Sequence, residues 1–199
     1  RVEESAANGF GETPLTKYRR HILLLHPDIV VIYDELEAAK PVRWDWLLHS
    51  PVQFEFEENG KDKTLITHYP EKKFSSIARL YSNSDCKLSQ TDRYFSAPDP
   101  KKMRKGQEYP NQWHMTAAYE KSPANRILTI ITLQPDGDKV IPVMHDKNGN
   151  PNDFVAGKWK IRAQLNPDEP AELLIRDPKG GALFSLGNKS PKIEDELYK

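Results

Sequence analysis

The sequence predicts an all-β chain built as an antiparallel two-sheet β-sandwich with little helix, and three observations carry that reading. Apolar and polar residues alternate strictly in Val52-Gln53-Phe54-Glu55-Phe56-Glu57, the period of a strand with one buried face. Turn chemistry recurs along the chain, at Asn59-Gly60, Pro135-Asp136-Gly137, Asn148-Gly149 and Asp177-Pro178-Lys179-Gly180. No window shows a sustained 3.6-residue apolar stripe, and the 16 prolines are spread through the 199 residues, which breaks helices and leaves strands joined by turns.

Taken in order, the first elements lie between Tyr18 and Ser50. The runs Ile22-Leu23-Leu24-Leu25 and Ile29-Val30-Val31-Ile32-Tyr33 are too apolar to alternate, as expected of central strands covered on both faces. His26-Pro27-Asp28 between them is turn chemistry, so the pair reads as a hairpin. Asp34 is expected to close its strand with a backbone bond. Trp44, Trp46 and Leu48 alternate with Arg43, Asp45, Leu47 and His49. The tryptophans are therefore expected to bury against the facing sheet, each contributing about 1.5–3 kcal/mol. Asn59-Gly60 suits a two-residue type I′ hairpin, which sets Phe54 opposite Leu65. Further strands are predicted at 74–81, 112–120, 125–134, 154–165, 171–177 and 182–186, and the polar, Pro-containing stretch 92–111 as one long surface loop.

Composition narrows the function. Lys and Arg total 29 against 29 Asp and Glu, so the overall field calls for neither a nucleic-acid partner nor an anionic membrane. The longest apolar runs fall far short of the roughly 20 residues of a membrane span. A single cysteine, Cys86, excludes an internal disulfide framework and any CxxC motif. The chain opens at Arg1 with neither an initiator Met nor a signal-like segment, which leads us to expect a processed protein or a piece of a longer one.

The sequence contains no GxSxG elbow, HExxH helix, Walker loop or GxGxxG turn. Three weaker constellations remain. Glu55 and Glu57 share a strand face about 7 Å apart, close to the separation of paired glycosidase carboxylates, with a solvated face as the competing reading. His49, with Asp45 and Arg43, and His114, between Trp113 and Met115, could meet across a sheet as metal donors. The alternative is that each hydrogen-bonds a neighbour. Lys101-Lys102-Met103-Arg104-Lys105 is a basic cluster suited to an anionic polysaccharide, or to simple solvation of a loop.

The succession "YRRHILLLHPDIVVIYDELEA", "PVRWDWLLHS", "QWHMTAAYE" and "RILTIITLQP" resembles the C-terminal β-sandwich region of the heparinase II/III-like polysaccharide lyases. The likeness covers about residues 17–135. Its most specific element is an Arg-rich strand leading into "PDIVVIYD" and, about ten residues later, "WLLH". After residue 135 only a pattern of short strands remains.

The resemblance implies a supersandwich-like fold spanning 1–199 as a single domain, the C-terminal fragment of a larger enzyme whose N-terminal α/α toroid is absent here. The reaction implied is β-elimination: a base removes the C5 proton of a uronic acid, its carboxylate charge is neutralised and the C4 oxygen leaves, with Tyr or His handling protons. The chain departs from the family pattern in lacking both the toroid's residues and a His-Asn pair. No catalytic residue is therefore assigned and the substrate-binding residues stay unknown. A structural zinc in some relatives maps one ligand onto His49, with its other ligands expected upstream of Arg1; no cofactor is required by this chain itself. The implied partners are the catalytic toroid and an acidic polysaccharide, and the implied location is periplasmic or secreted. The chain alone is expected to be inactive. An autonomous carbohydrate-binding module and a purely structural or oligomerising domain are the alternatives.

Overall fold

The computed structural model describes residues 14–93, 111–145, 149–187 and 192–193. Its strands form two antiparallel sheets, and the described residues contain no α-helix, only a 3-10 turn at Pro70–Lys72. The larger sheet has seven strands: β1 (Leu15–Leu25), β2 (Ile29–Ser50), β3 (Glu55–Asn59), β4 (Asp62–Tyr69), β5 (Phe74–Tyr81), β6 (Cys86–Thr91) and β7 (Trp113–Pro135). Their order is β1-β2-β7-β5-β4-β3, with β6 also on β7. The smaller sheet runs in simple succession from β8 (Val143–His145) through β9 (Asp153–Ala156), β10 (Trp159–Ala163), β11 (Leu173–Arg176) and β12 (Ala182–Leu186) to β13 (Lys192–Ile193). The all-β, two-sheet architecture expected from alternation and turns is the one present.

Two long strands organise the larger sheet. β2 has 22 residues and β7 has 23. They pair from Ile29 to Glu37 and again from Val42 to Ser50, and the register shifts between Glu37 and Val42 and between Val42 and Trp44. At these irregularities the strand pair doubles over, as bulges permit. One contact demonstrates it: Trp46 Nε1 donates to Asp34 Oδ2 at 3.1 Å, although the residues lie 12 positions apart on the same strand. Fully extended, that stretch would span about 40 Å.

The doubling creates two cores. In the first, Val31, Tyr33, Leu128 and Ile130 of the larger sheet pack on Phe154, Ile161, Leu173 and Ile175 of the smaller one. In the second, Leu36 and Ile127 from one arm of the larger sheet meet Trp44, Trp46, Met115 and Ala117 from the other, with Leu65 and Leu80 alongside. Residues that alternate along β2 therefore divide between cores, Val31 and Tyr33 to the first and Leu36, Trp44 and Trp46 to the second.

Several sequence expectations need correction. Trp44 and Trp46 are buried, but against the other arm of their own sheet and not against the facing one. Asp34 does not bond backbone to close a strand; its carboxylate takes Arg20 Nε at 2.6 Å, Arg20 Nη2 at 2.9 Å and the Trp46 indole. The first apolar run is not central: β1 lies at the sheet edge, leaving Ile22 65% and Leu24 56% exposed. The hairpin of β3 and β4 turns on Gly60-Lys61, with Asn59 paired to Asp62, so Phe56 and not Phe54 stands opposite Leu65. Gly60 takes φ +59° and Lys61 has no positive φ, the signs of a type II′ turn with Gly first, not type I′. Segments 112–120 and 125–134 belong to one strand, whereas 154–165 is split by a turn at Gly157, φ +57°. The expected β1–β2 hairpin is present, pairing Leu25 with Ile29. Of the expected loop 92–111, residues 94–110 lie outside the described residues.

Both cores should be separately essential. Leu128→Ala in the first and Leu65→Ala in the second, fully buried at 0% and 1% exposure, are each expected to cost about 2–5 kcal/mol in urea unfolding. Ile22→Ala on the exposed edge should stay within about 0.5 kcal/mol. A Leu65→Ala variant as stable as the unchanged chain would contradict the second core.

Candidate functional site

The sequence-selected residues fall on different faces. His49 and His114 are register partners on β2 and β7, their ring centroids 4.3 Å apart, so the two imidazoles do meet across the sheet. They occupy its outer face together with Leu47, which is 48% exposed. Asp45 is on that face too, but its carboxylate is gripped by the Arg43 guanidinium at 3.0 and 2.9 Å. A structural zinc takes four ligands, and among the described residues no group of three or more His, Cys, Asp or Glu is gathered to hold a metal. The described residues thus do not by themselves fit a zinc shell around His49.

Glu55 and Glu57 are both exposed. Glu55 makes a loose ion pair with His68 at 3.8 Å, with both side chains more than half exposed, an arrangement with no enclosed space for a sugar between two carboxyls. The basic cluster Lys101 to Lys105 lies outside the described residues.

A denser polar constellation sits on β1 and β2, at the end of the first core. Glu35, 1% exposed, receives Lys17 Nζ at 2.7 Å and lies 3.1 Å from His21 Nε2. Burial pushes its carboxyl up, but the hydrogen bonds from Lys17 and His21 outweigh burial and hold it below the usual carboxylate range. Tyr33 beside it donates to Gln164 O at 2.6 Å, and Arg126 Nη1 donates to Asn166 O at 3.0 Å. Tyr, His, Arg and Glu are the residue types of elimination chemistry, yet burial drives the Tyr33 phenol up to about 12, with Arg126 opposing. A general base works best with a pKa near the operating pH. Tyr33 is fully buried and already bonded, so this constellation ties the two sheets together and has no open position for a substrate.

A groove of about 710 Å³ lies elsewhere, on the outer face of the smaller sheet. Alternation puts Phe154 and Ile161 into the core and turns their neighbours outward. Cross-strand register then lays down two rows, Met144–Val155–Lys160–Arg176 and Asp153–Arg162–Leu174. Arg162 holds Asp153 through two bonds of 2.6 and 2.8 Å. Those bonds keep the Asp153 carboxyl below its usual range and raise the Arg162 guanidinium. Arg176 Nη1 donates to Gly180 O at 2.9 Å. Among the described residues no hydrogen bond or ion pair engages the Lys160 ammonium, which is exposed. Sequence reasoning singled out none of these residues. The signal was the spacing of Lys160-Ile161-Arg162, which read alone is indistinguishable from a solvated strand face.

Comparison with known proteins adds the fold. No family model matches the chain, and no curated protein matches it. Two solved structures of a heparinase III gene product do, one of them with methylated lysines. Against that one the TM-score is 0.53 at 14% identity over 89% of this chain. Against the other it is 0.50 at 15% identity over 86%. The chain is similar in fold to a segment of heparinase III. It spans about a quarter of those chains' length, 24% and 23%. No helix among the described residues is long and apolar enough to cross a membrane.

The Glu35 cluster makes a pH prediction. A carboxyl held low in the folded state adds stability above its unfolded pKa, and that stability is lost as pH falls through the folded value. Thermal unfolding of the unchanged chain should therefore weaken through and below the usual carboxylate range, while Glu35→Gln, already destabilised at neutral pH, shows a flatter profile over that window. Parallel profiles would show that the cluster contributes nothing ionic.

Proposed function

We propose that the chain serves as the accessory β-sandwich domain of a heparinase II/III-like polysaccharide lyase, bracing a helical catalytic domain of the same parent protein. The observation that carries the reading is a fold likeness that takes in most of this chain and about a quarter of heparinase III. The sequence stretches from "YRRHILLLHPDIVVIYDELEA" to "RILTIITLQP" support it independently. In the whole protein the reaction is β-elimination on a uronate-containing polysaccharide, carried out in a periplasmic or extracellular setting.

The surface supports bracing as the role. On the even-numbered side of β1, Ile22 and Leu24 continue across the register into Ile32, Val30 and Ile131, and Leu133 extends the same face along β7. Ile22, Leu24 and Leu133 are 65%, 56% and 38% exposed. A contiguous apolar sheet face of this kind marks an interaction site more often than a solvated surface. A partner domain covering it would complete on the β1 side the burial that the doubled arm gives to the rest of the larger sheet.

Catalysis is the test. Incubated with heparan sulfate, chondroitin sulfate, hyaluronan or alginate, the chain alone should release no ultraviolet-absorbing unsaturated uronate. Elimination needs proton abstraction, carboxylate neutralisation and leaving-group protonation around one ring, and the described residues gather no such open set. The intact parent protein should turn over at least one of these polymers, and Ile22→Asp with Leu24→Asp should lower that activity. Turnover by the chain alone, or a parent inactive on every uronate polymer, would overturn the proposal.

A further inference from the structure

We infer that the groove on the outer face of the smaller sheet binds a strand of acidic polysaccharide, with Lys160 and Arg176 as the anion contacts and Met144, Val155 and Leu174 as the bed. The inference takes its polymer class, a uronate glycan, from the proposed lyase-domain reading, but the site itself stands on its own geometry.

The decisive feature is a like-charge pair. Lys160 and Arg176 are direct register partners on β10 and β11, so their side chains leave the backbone about 5 Å apart on one face. Like charges directly opposite each other destabilise a sheet. The carboxylate in the groove, Asp153, is committed to Arg162 by two hydrogen bonds and does not relieve the pair. An anion seated between Lys160 and Arg176 would. Arg176 is aimed by its Nη1 bond to Gly180 O, which leaves its other N–H groups for a carboxylate or sulfate, where a planar fork binds bidentately. Lys160 supplies a compact point charge beside it.

The rest of the groove selects the kind of anion. Met144, 58% exposed, and Val155 continue the Lys160 row, so that row is apolar at its β8 end and cationic at its β11 end. A sugar polymer with carbon faces and charged substituents matches that division. The outward side chains of these rows include no aromatic ring, so the stacking platform on which single-stranded nucleic acid rests is missing. A neutral glycan would leave the cation pair unrelieved.

Binding of size-fractionated hyaluronan and heparin fragments to the 199-residue chain, followed by calorimetry or fluorescence anisotropy at low and moderate salt, tests the inference. The unchanged chain should bind and weaken with salt. Lys160→Glu and Arg176→Glu should each weaken binding by about tenfold or more, Leu174→Asp should weaken it with the cations intact, and Lys87→Glu on the larger sheet should leave it unchanged. Circular dichroism of each variant confirms folding. Absence of binding, or equal loss with Lys87→Glu, would overturn the site. Tighter binding of a single-stranded oligonucleotide or of anionic vesicles through the same residues would overturn the polysaccharide as its occupant. Groove-dependent binding together with an inactive parent protein would sink the lyase reading and leave the groove standing. An active parent with groove variants that bind normally would do the reverse.

Discussion

The buried carboxylate of Asp34 is the constraint on which the structure depends. At 1% exposure an unaided carboxylate costs several kcal/mol, and backbone groups of its own strand do not offset it. Three donors do: the Arg20 fork from β1 and the Trp46 indole from the far arm of β2. The first pair fixes β1 against β2. The third bond is available only when β2 has doubled over. Satisfying one charge therefore selects both the hairpin register and the bend of the long strands, and the second core of Leu36, Trp44, Trp46 and Met115 forms inside that bend.

The bend also decides which surfaces remain for function. Because one arm of the larger sheet folds back over part of the other, the face beyond it, at β1, stays open with Ile22 and Leu24 exposed. The opposite face is occupied by the smaller sheet, tied on by Tyr33 to Gln164 and Arg126 to Asn166. The smaller sheet then presents its own outer face, where the groove of Lys160 and Arg176 lies. An exposed apolar face and a groove carrying Lys160 and Arg176 are thus kept on separate sheets, the division that the proposed bracing and polymer-binding roles require.

Much of the fold was legible because strand periodicity is local. The alternation through Trp44, Trp46 and Leu48, the His26-Pro27-Asp28 turn and the meeting of His49 with His114 all follow from period two and antiparallel pairing. What escaped has a long-range cause. Nothing local in "IYDEL" tells that Asp34 will meet an indole 12 residues on, and an apolar run such as Ile22 to Leu25 reads the same at a sheet edge as at its centre. The Gly60-Lys61 turn escaped because Gly60 can serve as the second central residue of a type I′ turn or as the first of a type II′ turn, and the register was settled by pairing with β4. Of the site, the sequence pointed to His49 and the two glutamates, which turned out exposed and scattered. The groove residues carry no motif and become a set only when four strands bring Met144, Val155, Lys160 and Arg176 into one row.

The doubled strand is most directly tested by a double-mutant cycle on Asp34→Ala and Trp46→Phe, read by urea unfolding of both single variants, the double variant and the unchanged chain. Contact between the two side chains predicts a coupling of about 0.5–3 kcal/mol, the range for residues sharing one hydrogen-bond network. If β2 ran straight, the residues would stand about 40 Å apart and their effects would add. Additivity within experimental error, with each single variant destabilised, would contradict the fold described for this chain.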